Sequence, residues 1–170
     1  MAGADREDSG GSGLTLPVSH AGLRIRPATT QDHPALLALW LASVRATHGF
    51  LTERDVEALL PVVRDAALKH LEIWVMAGEG DLAGFIGLSD AHVEALFVAP
   101  AYFRRGCGGG LLEHARAIKG ALTVDVNEQN PAALAFYLAK GFEVEGRSPL
   151  DGSGNPFPLL HLRESLPVKS

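Results

Sequence analysis

Residues 93–112, Val-Glu-Ala-Leu-Phe-Val-Ala-Pro-Ala-Tyr-Phe-Arg-Arg-Gly-Cys-Gly-Gly-Gly-Leu-Leu, restrict the fold more than any other stretch of this chain. An apolar, strand-like run stops at Pro100 and a basic, glycine-rich turn follows. Leu111, Leu112, Ala115 and Ile118 then recur on one helical face. Glycines expose backbone N–H groups, and a helix that begins just behind them points its positive dipole end at the same spot. Such a strand–turn–helix cradles phosphate, and Arg104 and Arg105 place cations beside it. Two familiar cradles are excluded. A P-loop carries Lys-Ser/Thr after its last glycine, where Leu111 and Leu112 stand here. A dinucleotide-binding turn belongs to the first β–α unit, whereas this one comes late. A purely structural tight turn is the competing reading.

Around this segment the hydrophobic spacing switches repeatedly between periods of two and 3.6. Leu23 to Pro27 alternates as a half-buried strand. Leu37, Trp40, Leu41 and Val44 carry a helix to about Thr47, and Gly49 ends it. Thr52 caps a second helix, which Pro61 is expected to interrupt or restart before Leu68. Ile73–Ala77 and Leu82–Leu88 form a hairpin around Gly78–Asp81, and His92–Val98 makes the next strand. After the glycine-turn helix come a strand at 122–126, a helix at 131–140, and strands at 142–147 and 159–162. The expected class is α/β (α+β), a mixed central sheet of about six or seven strands flanked by about four helices.

A chain of 170 residues suits one domain with a sizeable core. The small, polar, acidic stretch Met1–Gly13 lacks an apolar segment and does not read as a secretory signal. Residues 1–20 are expected to be a disordered tail, and residues 21–170 the folded domain. A net charge of −5 and a pI near 5.8 argue against a general nucleic-acid binder. No apolar run is long enough for a membrane helix. One cysteine permits no intrachain disulfide and fits a reducing, cytoplasmic setting. The seven histidines show no metal-ligand spacing, so no metal is expected. No oligomeric state is fixed by the sequence, and a homodimer is compatible with it.

Phe97-Val98-Ala99-Pro100-Ala101-Tyr102-Phe103-Arg104-Arg105-Gly106-Cys107-Gly108 resembles the acetyl-CoA motif of the GNAT N-acetyltransferases. One position departs from it: Phe103 stands where that family has Gln or Arg. A second family element, Asn-x-x-Ala-x-x-Phe/Leu-Tyr-x-x-x-Gly-Phe, is matched from Asn130 to Phe142. The likeness spans roughly residues 23–164. Residues 46–51, 125–130 and 156–160 further resemble a bacterial subgroup described as acetylating lysines on proteins, the YjaB type.

The resemblance implies a GNAT fold and acetyl transfer from acetyl-CoA, as co-substrate, to an amine acceptor, either a small molecule or a protein lysine. It implies that the amides of Arg104, Arg105, Gly106, Cys107, Gly108 and Gly109 hold the pyrophosphate. The backbone near Phe97 and Val98 would meet the thioester carbonyl, where polarisation stabilises the developing oxyanion. Tyr137 would be the general acid, since a phenol of pKa near 10 is a plausible donor to a thiolate of pKa near 8.5. A core tyrosine is the alternative. Asn130 either caps the helix that starts at Pro131 or bonds the CoA arm. Glu94, with His92 two residues before it, is the candidate base for the attacking ammonium or a solvent-facing strand residue. His48 borders the acceptor cleft of the family. Cys107 is a small turn residue or, in a ping-pong scheme, a nucleophile. A non-catalytic acetyl-CoA sensor on the same fold is the alternative function.

Overall fold

The structure, a computed structural model, describes residues 22–165 except 48, 50 and 153. The tail expected over 1–20 and the candidate acceptor residue His48 lie outside the described residues. Seven strands form one sheet in the order β1-β2-β3-β4-β5-β7-β6. They are β1 (Arg24–Pro27), β2 (Glu72–Ala77), β3 (Leu82–Ser89), β4 (His92–Val98), β5 (Thr123–Asn127), β6 (Phe142–Ser148) and β7 (Leu159–Glu164). Every pairing is antiparallel except β4 with β5, which the α4 crossover makes parallel. The last strand enters between β5 and β6, an insertion that local periodicity does not announce.

The helices are α1 (His33–Thr47), α2 (Glu53–Val62), the single turn α3 (Leu68–His70), α4 (Cys107–Lys119) and α5 (Pro131–Ala139). A capping box starts α2: the Asp55 amide donates to Thr52 Oγ1 at 3.1 Å, and the Asp55 carboxylate accepts the Thr52 amide at 2.9 Å. Pro61 does not break this helix. It sits inside α2, and the chain widens into a π-helical turn over Val63–Ala67 before α3.

The two faces of the sheet carry separate cores. Leu36, Leu39, Trp40, Val44 and Val56 of α1 and α2 cover Ile73, Val75 and Phe85. On the other face Leu111, Leu112 and Ala115 of α4 and Phe136 and Tyr137 of α5 cover Ile86, Val93, Val98, Val124, Val126 and Leu162. Leu111 and Leu112 are fully buried. At about 1.5–3 kcal/mol for each such side chain, they fix α4, and with it the glycine segment, against β3 and β4. Glu164 anchors the far end of that face. Its carboxylate accepts the buried Leu122 amide at 3.0 Å and pairs with Arg116 of α4. Among the described residues no helix is long and apolar enough to cross a membrane.

Candidate active site

The site begins with an irregularity in β4. Leu88 pairs with Val93 but Gly87 with Ala95, so Glu94 is the extra residue of a β-bulge. Pairing of β4 with β5 is confined to His92↔Thr123 and Val93↔Val124, although the strands run on to Val98 and Asn127. The bulge and the end of pairing coincide. Beyond them the strands diverge, and the facing edge of β4 is left with amides unused by the sheet. The Ala99 amide donates to the Ala83 carbonyl at 2.8 Å, on the β3 side. Strand alternation then puts the Phe97 amide on that same edge and the Leu96 and Val98 amides on the β5 edge. Of the two residues expected near the thioester, Val98, like Leu96, thus turns its amide to the β5 edge, and Phe97 turns its own to β3.

After β4 the chain makes a 3-10 turn over Pro100–Tyr102, and Phe103 packs against the core under α4. Arg104 (φ 65°) and Gly106 (φ 81°) are left-handed, which aims the chain into α4. The helix starts earlier than expected. Gly108, Gly109 and Gly110 are not turn residues but the first turn of α4, with Gly106 as its N-cap and Gly110 donating to the Gly106 carbonyl at 3.0 Å. The amides of Gly108 and Gly109 thus have no carbonyl four residues back within the helix. Two side-chain ends approach these glycines closely: a Cβ on Gly109 would lie 2.9 Å from Lys140 Nζ, and one on Gly110 3.2 Å from Met76 Cε. Arg104 and Arg105 are exposed beside the cradle, with the Arg105 guanidinium 5.7 Å from the Tyr102 ring centroid. Cys107 is 1% exposed and belongs to the core, so its thiol does not face an incoming thioester. On the outer flank, a cleft of about 490 Å³ opens between Leu23, the β2–β3 turn and the Tyr102–Arg105 segment.

α5 stands beside the cradle on the same face. Asn130 is its N-cap, with Oδ1 accepting the Ala133 amide at 3.1 Å, so the capping alternative is realised. Tyr137 is 7% exposed, with its ring edge-on to Phe136 (5.0 Å between centroids) and Phe142 (5.3 Å). Burial pushes its phenol well above the ordinary value. No residue among those described bonds its hydroxyl.

The opposite face at the same point of the sheet is polar. Val93, Val124, Val126 and Leu162 point into the core under α4 and α5, and the residues alternating with them turn away from it. Glu94 is exposed there, and no cation pairs with it among the described residues. Beside it a chain of groups runs across four strands. Thr123 Oγ1 is 2.7 Å from His92 Nδ1, and His92 Nε2 is 3.6 Å from Asp125. Asp125 Oδ1 is 2.7 Å from His161 Nδ1, and His161 Nε2 is 2.7 Å from Ser148 Oγ. Of these only His92 was singled out from sequence. The rest share no local spacing, and the one available signal was alternation against buried valines and leucines.

The structure thus brings Val98, the Arg104–Gly109 segment, Asn130 and Tyr137 to one face of the diverging strands, and Glu94 and His92 to the other. Residues 69–144 match the family model of the acetyltransferase (GNAT) domain. Peptidyl-lysine N-acetyltransferase YjaB of Escherichia coli (strain K12) is 43% identical over 143 residues, which cover 82% of this chain and 95% of that protein. The solution structure of apo-form YjaB from Escherichia coli matches with a TM-score of 0.74 at 42% identity, covering 83% of this chain and 96% of that one. PaiA N-acetyltransferase from Thermoplasma acidophilum, solved in complex with coenzyme A, matches with a TM-score of 0.70 over 85% of this chain and 99% of that one. At 21% identity that likeness is one of fold alone.

Proposed function

The chain belongs to the GNAT family of acetyltransferases, and on that premise we propose that it moves the acetyl group of acetyl-CoA onto the ε-amine of a protein lysine by direct attack. The observation that carries this reading is the opening between β4 and β5, with an anion cradle and a buried phenol on one face and an unpaired carboxylate on the other. The names of the similar proteins supply the lysine. The lone, buried cysteine fits the reducing cytoplasm as the place of work.

In this mechanism the amides from Arg104 to Gly109, with the two arginines, bind the diphosphate, and α5 covers the CoA arm. The Val98 amide donates to the thioester carbonyl and stabilises the oxyanion as the new N–C bond forms. Glu94, aimed by its bulge, takes the proton of the lysine ammonium, directly or through one water. As the C–S bond breaks, Tyr137 delivers its proton to the departing thiolate, the nitrogen sheds its second proton to water as the amide forms, and Tyr137 recovers a proton from solvent.

The test is CoA release and peptide mass gain with lysine peptides, against the same peptides with N-ε-blocked lysine. Turnover that requires the free ε-amine supports the reading. Acetyl-CoA binding without turnover on any amine would identify the chain as a sensor on the same fold.

A further inference from the structure

We propose that Lys140 is a donor-site residue, its ammonium closing over the diphosphate from the α5 side opposite Arg104 and Arg105; this rests on the donor reading above. The evidence is where the ammonium sits. A Cβ built on Gly109 would meet Lys140 Nζ at 2.9 Å and Cε at 3.3 Å, so the side chain lies over the first turn of α4. Lys140 is half-buried, and its ammonium is 5.8 Å from the Phe136 ring centroid. No carboxylate pairs with it among the described residues, although seven of the other lysines and arginines have such partners.

That position is electrostatically odd for a lysine. The start of a helix is its positive end, where anions are favoured and cations are not. A solvated lysine would swing away from it, yet this one is held with its ammonium over an aromatic ring and by a backbone bonded to the Phe136 and Tyr137 carbonyls at 3.1 and 3.0 Å. A diphosphate lying on the Gly108 and Gly109 amides resolves the conflict, because it presents negative charge to the dipole and to the ammonium together. Gly109 completes the fit, since any side chain there would displace the ammonium. One short helix would then supply both the proton for sulfur, from Tyr137, and a cation for the phosphates.

The experiment measures KM and kcat for acetyl-CoA, and the Kd of CoA by calorimetry, in wild type, Lys140→Met, Lys140→Arg and Gly109→Ala. Losing one charge-assisted contact predicts a KM and Kd about ten- to a hundredfold higher in Lys140→Met, with kcat at saturation retained. Lys140→Arg should recover most of the loss. Gly109→Ala should weaken binding while folding normally, because its new methyl meets only the end of a flexible side chain. Acetyl-dephospho-CoA, which lacks the 3′-phosphate, should lose as much as acetyl-CoA. A loss confined to the full cofactor would move Lys140 to the 3′-phosphate and overturn the assignment. So would an unchanged KM, or equal falls in kcat and affinity that arginine does not rescue, which would mean a structural role beside Tyr137. A wild-type protein that fails to bind CoA would instead remove the donor reading itself.

Discussion

Replacing Tyr137 with phenylalanine separates what the phenol does in catalysis from what its ring does in the fold. The ring contacts with Phe136 and Phe142, at 5.0 and 5.3 Å between centroids, survive the change. The hydroxyl removed has no bonding partner among the described residues, so stability at neutral pH should move by no more than about 0.5 kcal/mol. Removing a general acid, by contrast, costs about 10²–10⁴ in rate. Burial raises the phenol's pKa, which makes Tyr137 a weaker acid than a solvated tyrosine but keeps its proton in place across the working pH range. Delivery to sulfur remains reasonable because the departing thiolate would be stripped of water in the same apolar space. The raised pKa also gives a stability prediction. A group bound more tightly to its proton in the folded state stabilises that state fully below the unfolded pKa near 10. Above it, the wild type loses about 1.4 kcal/mol per pH unit until the folded-state value is reached. Tyr137→Phe has no such loss. CoA release by thiol titration and urea melts at pH 8 and pH 11 check both halves. A saturated rate within twofold of wild type would remove Tyr137 from the chemistry. An identical fall in stability at pH 11 would refute the buried phenol as the cause of alkaline weakening.

Glu94→Gln should lower kcat about 10²–10⁴-fold near neutrality and recover as pH approaches the lysine pKa near 10.4, where free amine no longer needs a base; a pH–rate profile parallel to wild type would exclude Glu94. Gly108→Asp, which sets a carboxylate at the second position of α4, should abolish acetyl-CoA protection in thermal melts by repelling the diphosphate, with circular dichroism confirming the fold. Glu164→Ala strands the buried Leu122 amide and Arg116, and should cost about 1–3 kcal/mol. In a chain of this size that is a Tm lower by about 2–4 °C per kcal/mol, with CoA affinity intact.

What the sequence revealed, and what it hid, follows from the range over which each feature is encoded. Strands and helices with apolar positions every two or every 3.6 residues were legible, as was the order of elements. Pro61 misled because a missing amide and a bulky ring argue for a break, whereas the helix absorbs them and widens into a π turn. The glycines after Cys107 read as loop because glycine is a poor helix former, yet here close approach by Lys140 and Met76 outweighs propensity. The bulge at Glu94 depends on β3 as much as on β4, and the chain from Thr123 to Ser148 joins strands far apart in sequence. Lys140 became visible only when α5 was seen against α4. Motif spacing carries the proposed donor side, whereas the proposed acceptor side is written in pairings between strands.

Amide-resolved NMR, with unlabelled CoA titrated into the ¹⁵N-labelled protein, asks most directly whether the donor lodges where α4 begins and β4 leaves β5. Saturable shifts should concentrate at Leu96, Val98 and Gly106–Gly109, with Lys140 following. Shifts confined to the flank around Leu23 and Asp81, or no saturable shifts at all, would contradict the account at its root.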